Sequence, residues 1–381
     1  MPANVPANFS PQTRPGPGAK LVKVGVIGLG EPAKSFARAT LISDKLKIIA
    51  GFSHSAEERR AFQLETRLPV VSDVKTLLSY PMLDGVILNV PSDQQLALAT
   101  DVARAKKHLF ITGAVGSTLD EGLEIAALEQ KHGITISAAH FARLLGGIRE
   151  IRGAIDRGEL GILALIEVNF SCVTSQNEGS NSRPEQRYAP GDSLSDMAIL
   201  FDALQYVGAE IAEVSAMSAK VCHESSGLRD QIMALVHFAD GKLGYAGSSR
   251  TSPGVFALRV LGSKGLMHYE ADTHALKTPE KLQEASMLYI HRGDDSCANR
   301  QNLPIPRTDA FAAQLEIFAE ACRTGNSGEF SAANANSALA VCDAALRSLD
   351  RRGQSVRVAD LLRAAQSRIR PAAPSELVQK R

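Results

Sequence analysis

Short apolar runs alternate with segments of helical spacing from Leu21 to about residue 137. Within the segments between the runs, such as PAKSFARATLI and TLDEGLEIAALEQKH, apolar side chains recur every third or fourth residue, which predicts amphipathic helices. Strands joined by helices pair in parallel, because each helix carries the chain back to the same end of the sheet. The pattern therefore predicts a parallel, doubly wound sheet with helices on both faces. Its strands read LVKVGVIGL, KLKIIAGFS, DGVILNV, HLFIT and GITISA.

After residue 137 the predicted strands follow one another with no helix between them, from ILALIEVNFS to ASMLYIHRG. One stretch, HFADGKLGYA, has Asp240 and Gly241 at its centre, the pair typical of a tight hairpin turn. Successive strands of this kind predict a mostly antiparallel sheet. Two helical segments follow it, TDAFAAQLEIFAEACRTG and ANANSALAVCDAALRSLDRRG. The predicted fold class is α/β, with a doubly wound first domain and a second α/β domain.

The chain divides into four predicted segments. Residues 1–20 are rich in proline and small residues and are predicted to form a disordered tail. Residues 21–140 are predicted to form the doubly wound domain, and residues 141–368 the second domain, whose last helices pack back on the first. Residues 369–381 are predicted to form a second loose tail.

Composition narrows the function classes. The chain of 381 residues carries 42 basic and 41 acidic side chains, a formal charge of +1, which favours neither nucleic acid nor an anionic membrane as a partner. We see no apolar run long enough to span a bilayer and no secretory signal at the start. The five dispersed cysteines favour reduced thiols in a cytoplasmic protein, and we expect no metal site.

A glycine pair follows the first predicted strand. Gly28 and Gly30 match the first two glycines of a G-x-G-x-x-G loop, and Ala33 stands at the third. Gly28 would allow the tight turn and Gly30 the close approach of a pyrophosphate, while Ala33 adds one methyl group to the helix–strand contact. An ordinary strand-to-helix turn is the alternative. The predicted dinucleotide contacts here are Gly28, Leu29, Gly30, Glu31 and Pro32.

The end of the second strand bears on the choice of dinucleotide. An acidic residue there would hydrogen-bond the ribose of NAD, but residues 51–55 read GFSHS. Ser53 stands where we expect the acid, with His54 beside it and Arg59 about a turn further on. A hydroxyl next to cations suits a 2′-phosphate, so the sequence favours NADP(H) over NAD(H). The alternative is a polar turn that caps the next helix.

Several stretches, in their order and spacing, resemble the glucose–fructose oxidoreductase / inositol dehydrogenase / rhizopine catabolism (Gfo/Idh/MocA) family from about Val22 to Val358. The resemblance implies a Rossmann domain followed by an α/β domain with a large open antiparallel sheet. In the family that sheet supplies substrate contacts and often an oligomer interface. The matching stretches are VGVIGLG, DGVILNVPSDQQ, KHLFITGAVGSTLDEGLEIA, IRGAIDRGELGILALIEVNFS, FADGKLG, VLGSKGLM and FAEACRTG.

Both positions that carry acid–base chemistry in the family differ here. The strand HLFIT is followed in the family by Glu-Lys-Pro, and Gly113 stands at the lysine position. A later helix carries an Asp and, four residues on, a His; Asp196 matches the Asp and Leu200 stands at the His. Hydride transfer from a carbinol needs a base for the hydroxyl proton, and a positioned base is worth roughly 10² to 10⁴ in rate. An enzyme with this sequence would need an atypical acid–base set.

Two residues are candidates for that set. His140 follows the last strand of the first domain and could face the nicotinamide end of the cleft; a buried structural histidine is the alternative. Asp196 could orient a substrate hydroxyl or a water, or it could cap its helix. Arg183 and Arg187 could bind an anionic substrate in a bidentate manner, although exposed loop arginines commonly have no such role.

The loops after the third and fourth strands supply the remaining predicted cofactor contacts. In the family the first of these loops touches the cofactor, whereas the alternative here is a simple helix start with Ser92 as its cap. The predicted contacts are Asn89, Val90, Pro91, Gln94, Thr112 and Gly113.

These features predict an NADP(H)-dependent oxidoreductase that acts on a small sugar- or cyclitol-like carbonyl or hydroxyl compound. The first alternative is a catalytically degenerate protein that senses a dinucleotide or ligand, or a silent partner subunit. A second is a lyase or hydrolase that retains NAD for transient oxidation. We expect a homodimer or homotetramer through the sheet of the second domain.

Overall fold

The structure, a computed structural model, describes residues 21–172, 193–221, 229–277, 282, 284–293 and 300–369. In these ranges the first sheet has five parallel strands in the order β2-β1-β3-β4-β5, as the alternating pattern predicts. They are β1 (Val22–Ile27), β2 (Leu46–Phe52), β3 (Gly85–Leu88), β4 (His108–Ile111) and β5 (Ile136–Ala138).

Helices cover both faces of this sheet, which confirms the doubly wound arrangement. Alternate residues of a strand point to opposite faces, so Ile87 and Phe110 lie in one apolar layer and Leu88 and Ile111 in the other. The helices are α1 (Glu31–Ile42), α2 (Ala56–Thr66), α3 (Val74–Leu78), α4 (Ser92–Arg104) and α5 (Leu119–His132).

Some helices of the first domain start at the capping residue that the sequence predicts, and α4 does not. Thr118 accepts a hydrogen bond from the Glu121 amide (3.2 Å) and caps α5. Helix α4 instead begins at Ser92 itself, with Pro91 at the cap position and no side-chain cap. The alternative of a Ser92 cap is therefore wrong, since the preceding proline fixes an extended backbone that is already compatible with a helix start.

The second sheet in the described part of the chain has nine strands in the order β13-β12-β11-β10-β6-β9-β8-β7-β14. Neighbours are antiparallel except β6 and β9, which pair in parallel, so the prediction of a mostly antiparallel sheet is confirmed. The strands are β6 (Leu163–Ser171), β7 (Ile211–Ala219), β8 (Gln231–Phe238), β9 (Leu243–Ser249), β10 (Val255–Gly262), β11 (Gly265–Asp272), β12 (Ser286–Arg292), β13 (Arg300–Asn302) and β14 (Val356–Arg357).

One face of this sheet is covered by helices and the other is open. Strand β8 shows the difference, since Ile232, Ala234 and Val236 are buried whereas Met233 and Leu235 are 56% and 64% exposed. The covering helices are α6 (Gly146–Asp156), α7 (Ser193–Val207), α9 (Ala332–Asp350) and α10 (Val358–Ile369). Such alternation is expected of an antiparallel sheet with one solvated face.

One late helix packs against the first sheet. In α8 (Ala310–Thr324), Phe318 contacts Phe110 of β4 with ring centroids 5.6 Å apart. Glu316 of the same helix pairs with Lys45, next to β2, at 3.1 Å. Residues far apart in the sequence thus complete the apolar layer beside α1.

Candidate functional site

The glycine loop lies at the carboxyl end of β1. The amide of Gly28 donates to the carbonyl of Phe52 at the end of β2 (2.8 Å). Gly28 has a φ of +90°, and a Cβ atom there would lie 1.9 Å from the carbonyl oxygen of Asn89, so this turn requires glycine. A Cβ at Gly30 would instead have nothing within 4 Å. The backbone at Gly30 therefore faces open space at the N-terminus of α1, where a pyrophosphate binds in sheets of this type.

The third loop position, Ala33, is fully buried and its methyl group packs in the same apolar layer as Phe36. The extra methyl is thus accommodated between α1 and the sheet. Pro32 lies in the first turn of α1, and Gly30 at the cap position makes no side-chain hydrogen bond. Glu31 places a carboxylate at this helix end, but Lys34 pairs with it at 2.7 Å. The loop thus fits a dinucleotide pyrophosphate, which Gly28 to Pro32 would hold.

The turn between β2 and α2 is closed by side chains. The buried Ser53 hydroxyl donates to Oε2 of Glu58 (2.6 Å) and accepts from the Ser55 amide (3.2 Å). Ser55 in turn caps α2 by accepting from the Glu58 amide (3.2 Å). A carboxylate is therefore present beside Ser53, although none occupies residues 51–55.

Arg59 and His54, the two basic residues predicted to lie at this turn, make different contacts. Nη1 of Arg59 donates to the carbonyl oxygens of Ser53 and His54. His54 is exposed, with its ring edge-on to Phe52 at a centroid distance of 5.0 Å. The side chain of Arg59 consequently stabilises the turn by binding its backbone carbonyls. The side chain of His54 lies at the surface beside the turn.

Hydrogen bonds join the loops that follow β1, β3 and β4. Nδ2 of Asn89 donates to the carbonyl of Gly28 (3.2 Å), and the hydroxyl of Thr112 donates to Oδ1 of Asn89 (3.0 Å). Three residues predicted from separate motifs are thus brought together at the carboxyl edge of the sheet. This is the edge at which open α/β sheets bind their ligands.

The side chain of Gln95 joins the loops that follow β3 and β4 by hydrogen bonds. Its buried side chain donates to the carbonyls of Val90 and Thr112 (both 3.4 Å) and accepts from the Gly116 amide (2.7 Å). Gln94, the predicted cofactor contact, is exposed on the same turn. Sequence pattern alone does not determine which of these two adjacent amide side chains faces inward.

Gly113 and Leu200, which stand where the family has a lysine and a histidine, have different surroundings in the structure. Gly113 has a φ of +74°, and a Cβ atom there would have nothing within 4 Å. Leu200 is fully buried in the apolar core between α7 and the second sheet. The lysine position therefore faces open space at the end of β4, whereas the histidine position has become part of the core.

His140 lies at the centre of a buried ion-pair cluster. Its Nδ1 is 2.9 Å from Oδ1 of Asp202 on α7, and its Nε2 is 3.5 Å from the carbonyl oxygen of Ser331. Arg143 also donates to Asp202, through Nε and Nη2, and through Nη1 to the carbonyl of Glu329 (2.7 Å). His140 is only 3% exposed. This geometry favours the structural interpretation of His140 over direct contact with a ligand.

Opposing influences act on the pKa of Asp202. Burial raises it, while the charges and hydrogen bonds of His140 and Arg143 lower it and together prevail, so that the pKa is about 2 against 3.8 for the free side chain. Asp202 is therefore ionised at neutral pH, and its carboxylate links the side chains of His140 and Arg143 inside the protein.

Asp196 is held by a second buried ion pair. It lies within the first turn of α7, which begins at Ser193, and so does not occupy the cap position. Nε of Arg250 donates to its Oδ2 (2.7 Å), as does the hydroxyl of Ser248 (3.0 Å). The carboxylate is thus fixed at the end of β9, with its orientation set by two donors.

Arg183 and Arg187, the predicted substrate-binding arginines, lie outside the described residues. Within the described ranges, His, Cys, Asp and Glu side chains nowhere gather in threes as metal ligands would. Nor does a search of those ranges find a helix with the length and apolar character needed to cross a membrane.

Three side chains at or beneath the site were not singled out from the sequence: Glu58, Arg250 and Asp202. Glu58 had a signal, since Ser55 and Glu58 form the S-x-x-E pattern of a helix start. The other contacts join residues far apart in the sequence, and only the folded chain reveals them.

The fold and the open glycine loop together define a dinucleotide-binding oxidoreductase of two domains. Residues 22–140 match the family pattern described as "Oxidoreductase family, NAD-binding Rossmann fold", and residues 148–268 match "GFO/IDH/MocA C-terminal domain". The two matches together span more than half of the chain. The chain belongs to the Gfo/Idh/MocA oxidoreductase family.

Two relatives and one solved structure illustrate the similarity. Oxidoreductase YrbE of Bacillus subtilis (strain 168), described as uncharacterized, is 26% identical over 65% of this chain and 73% of its own length. The 1,5-anhydro-D-fructose reductase of Ensifer adhaerens is 24% identical over 70% of this chain and 86% of its own. A candidate NADPH-dependent oxidoreductase from Desulfitobacterium hafniense DCB-2 superimposes with a TM-score of 0.83 at 25% identity, covering 90% of this chain and 99% of its own.

Proposed function

We propose that this protein is an NAD(P)-dependent oxidoreductase that interconverts a hydroxyl and a carbonyl group on a small sugar- or cyclitol-like molecule. The observation that carries the proposal is the open backbone at Gly30, at the N-terminus of α1 and beside the linked loops of Asn89 and Thr112. The name of the Ensifer adhaerens relative, a reductase of a sugar derivative, supports this substrate class. When bound, the nicotinamide would accept or supply the hydride.

The acid–base set is the atypical part of the proposed enzyme. Asp196 is 4% exposed and bonded by Arg250 and Ser248, so it would act by fixing these two side chains at the end of β9 rather than by direct contact with a substrate. His140 would act as a positioning residue, because its bond to Asp202 fixes α7, the helix that also carries Asp196. The open space at Gly113 would leave room for the substrate where the family has a lysine side chain.

The segment outside the described residues would contribute to substrate binding. Arg183 and Arg187 are proposed to bind an anionic group of the substrate, if it carries one, through paired guanidinium hydrogen bonds. A catalytically degenerate sensor is not favoured, because the relatives named above are described as oxidoreductases or as a reductase.

The test is dinucleotide binding followed by turnover. We expect the purified protein to bind NADH or NADPH, measured by reduced-nicotinamide fluorescence, and then to oxidise or reduce members of a panel of sugars and cyclitols. In Gly30→Val the added Cβ has no described protein atom within 4 Å and the side chain fills the space in front of the backbone, so Kd should rise about tenfold or more, at least ~1.4 kcal/mol, while the unfolding temperature stays close to that of the wild type.

Gly133→Asn is the control for a glycine substitution. Gly133 ends α5 with a φ of +63° and open space around a Cβ, and asparagine tolerates this conformation. It should leave dinucleotide binding unchanged. A folded wild-type protein that binds none of the four oxidised and reduced dinucleotides would refute the proposed function.

A further inference from the structure

The turn after β2 contains a carboxylate in contact with the serine predicted to receive a 2′-phosphate. Ser53 follows Phe52, whose carbonyl accepts from the Gly28 amide, so the turn adjoins the phosphate loop. Glu58, exposed on the first turn of α2, accepts a hydrogen bond from the Ser53 hydroxyl at 2.6 Å. In sheets of this type the adenosine ribose lies beside the end of the second strand.

We propose that Glu58 makes this protein selective for NAD(H) by excluding the 2′-phosphate of NADP(H) from the turn at Ser53. The inference rests on the proposed dinucleotide function. It reverses the preference that the sequence favours, because the acid missing from residues 51–55 is supplied by α2 instead.

The donor capacity of Ser53 supports the proposal. A serine hydroxyl has one O–H donor, and that of Ser53 is given to Glu58. A phosphate ester presents acceptors to the turn, so it could bond Ser53 only after this bond is broken. A ribose hydroxyl can donate, and the Glu58 carboxylate can accept from it.

Charge acts in the same direction. The carboxylate of Glu58 would lie close to a phosphate that is itself negative, and like charges held in contact repel. Arg59 is the cation closest in sequence, and its Nη1 group is bonded to the carbonyls of Ser53 and His54. His54 and Arg60 are exposed near the turn, and every protein is titrated at the same pH so that their contribution is common to all variants.

The experiment is a fluorescence titration of NADH and NADPH into the wild-type protein, Glu58→Gln and Glu57→Gln. We expect the wild type to bind NADH about tenfold or more tightly than NADPH. Glu58→Gln keeps an oxygen that can accept from Ser53 but removes the charge, so NADPH binding should strengthen and the ratio should approach one. Glu57→Gln removes the same charge from the preceding position of the exposed turn and should leave the ratio unchanged.

Each other outcome has a defined meaning. Wild-type protein that binds NADPH as tightly as NADH or more tightly overturns this inference and leaves the proposed function standing. A Glu58→Gln protein that binds both dinucleotides more weakly in equal proportion also overturns it, since Glu58 would then serve only to hold the turn at Ser53; its unfolding temperature measures that role. Absence of binding for every dinucleotide overturns the proposed function and this inference with it.

Discussion

At the scale of single residues, His140, Asp202 and Arg143 form a buried cluster of hydrogen-bonded side chains. All three side chains are buried, and the Asp202 carboxylate bonds to both His140 and Arg143. Removing one partner from a buried, hydrogen-bonded ion pair leaves a charge without compensation, which costs more than removing an exposed pair. His140 thus contributes chiefly to the join between β5, α7 and the start of α9.

We predict that His140→Ala lowers the free energy of unfolding by about 3 kcal/mol at pH 7, measured by urea denaturation without dinucleotide. The control His132→Ala, at the end of α5, should change it by less than about 0.5 kcal/mol. A His140→Ala protein with wild-type stability and abolished turnover would instead identify His140 as a direct acid–base group.

The same cluster gives the pH dependence of this prediction. The folded-state pKa of Asp202, about 2, lies below its unfolded value of 3.8. Its contribution, about 2 kcal/mol, is therefore present above pH 3.8 and is lost as the pH falls through about 2. The stability difference between the wild type and His140→Ala should accordingly shrink as the pH is lowered from 3.8 towards 2.

At the scale of secondary-structure elements, the start of α4 organises the candidate cofactor site. Gln95 joins the loops after β3 and β4, while Gln94 points to solvent on the same turn. Periodicity in the sequence predicts this helix. It does not resolve which of two adjacent polar residues faces inward, because each has apolar residues three and four positions further along the helix.

We predict that Gln95→Ala destabilises the protein by about 1–3 kcal/mol, because the Gly116 amide and two carbonyls lose their buried partner. Dinucleotide binding should also weaken, since Gln95 holds the loop of Thr112. Gln94→Ala is the matched control and should leave the unfolding transition in place. Equal effects of the two variants, by thermal unfolding and by titration, would contradict this account of α4.

At the scale of the whole molecule, the open face of the second sheet exposes large apolar side chains on three neighbouring strands. Met217 of β7 and Met233 of β8 are cross-strand partners, and Leu235 of β8 lies opposite Tyr245 of β9. Met217 and Leu235 are 72% and 64% exposed. Contiguous apolar surface of this kind marks an interaction site, and we propose that a second copy of this chain covers it.

The oligomer prediction is tested with Leu235→Asp, which would bury a charge in the proposed interface. We expect the wild type to sediment as a dimer or tetramer in analytical ultracentrifugation and Leu235→Asp to shift towards the monomer. Leu64→Asp, at a site on α2 that is 69% exposed, should sediment as the wild type does. A monomeric wild type at micromolar concentration would contradict the proposed interface.

Local pattern was enough to predict the α/β class, the alternation of strands and helices in the first domain, and the residues of the glycine loop. Strand and helix periodicities differ, and a turn with positive φ such as that of Gly28 selects glycine. The resemblance to a family followed from the same stretches. These features depend on residues close together in the sequence, so a single sequence reveals them.

Tertiary structure decided the partners of the charged residues. The carboxylate beside Ser53 comes from a side chain of α2 that turns back on the strand, and the partner of His140 lies 62 residues away on α7. Tertiary structure also decided the surroundings of the two positions at which the family has its acid–base residues. Leu200 is enclosed in the core of the second domain, whereas Gly113 faces open space among the described residues. Hydrogen bonds and burial depend on distances in three dimensions. The separation of two residues along the sequence does not determine these distances, because a sheet brings distant segments together.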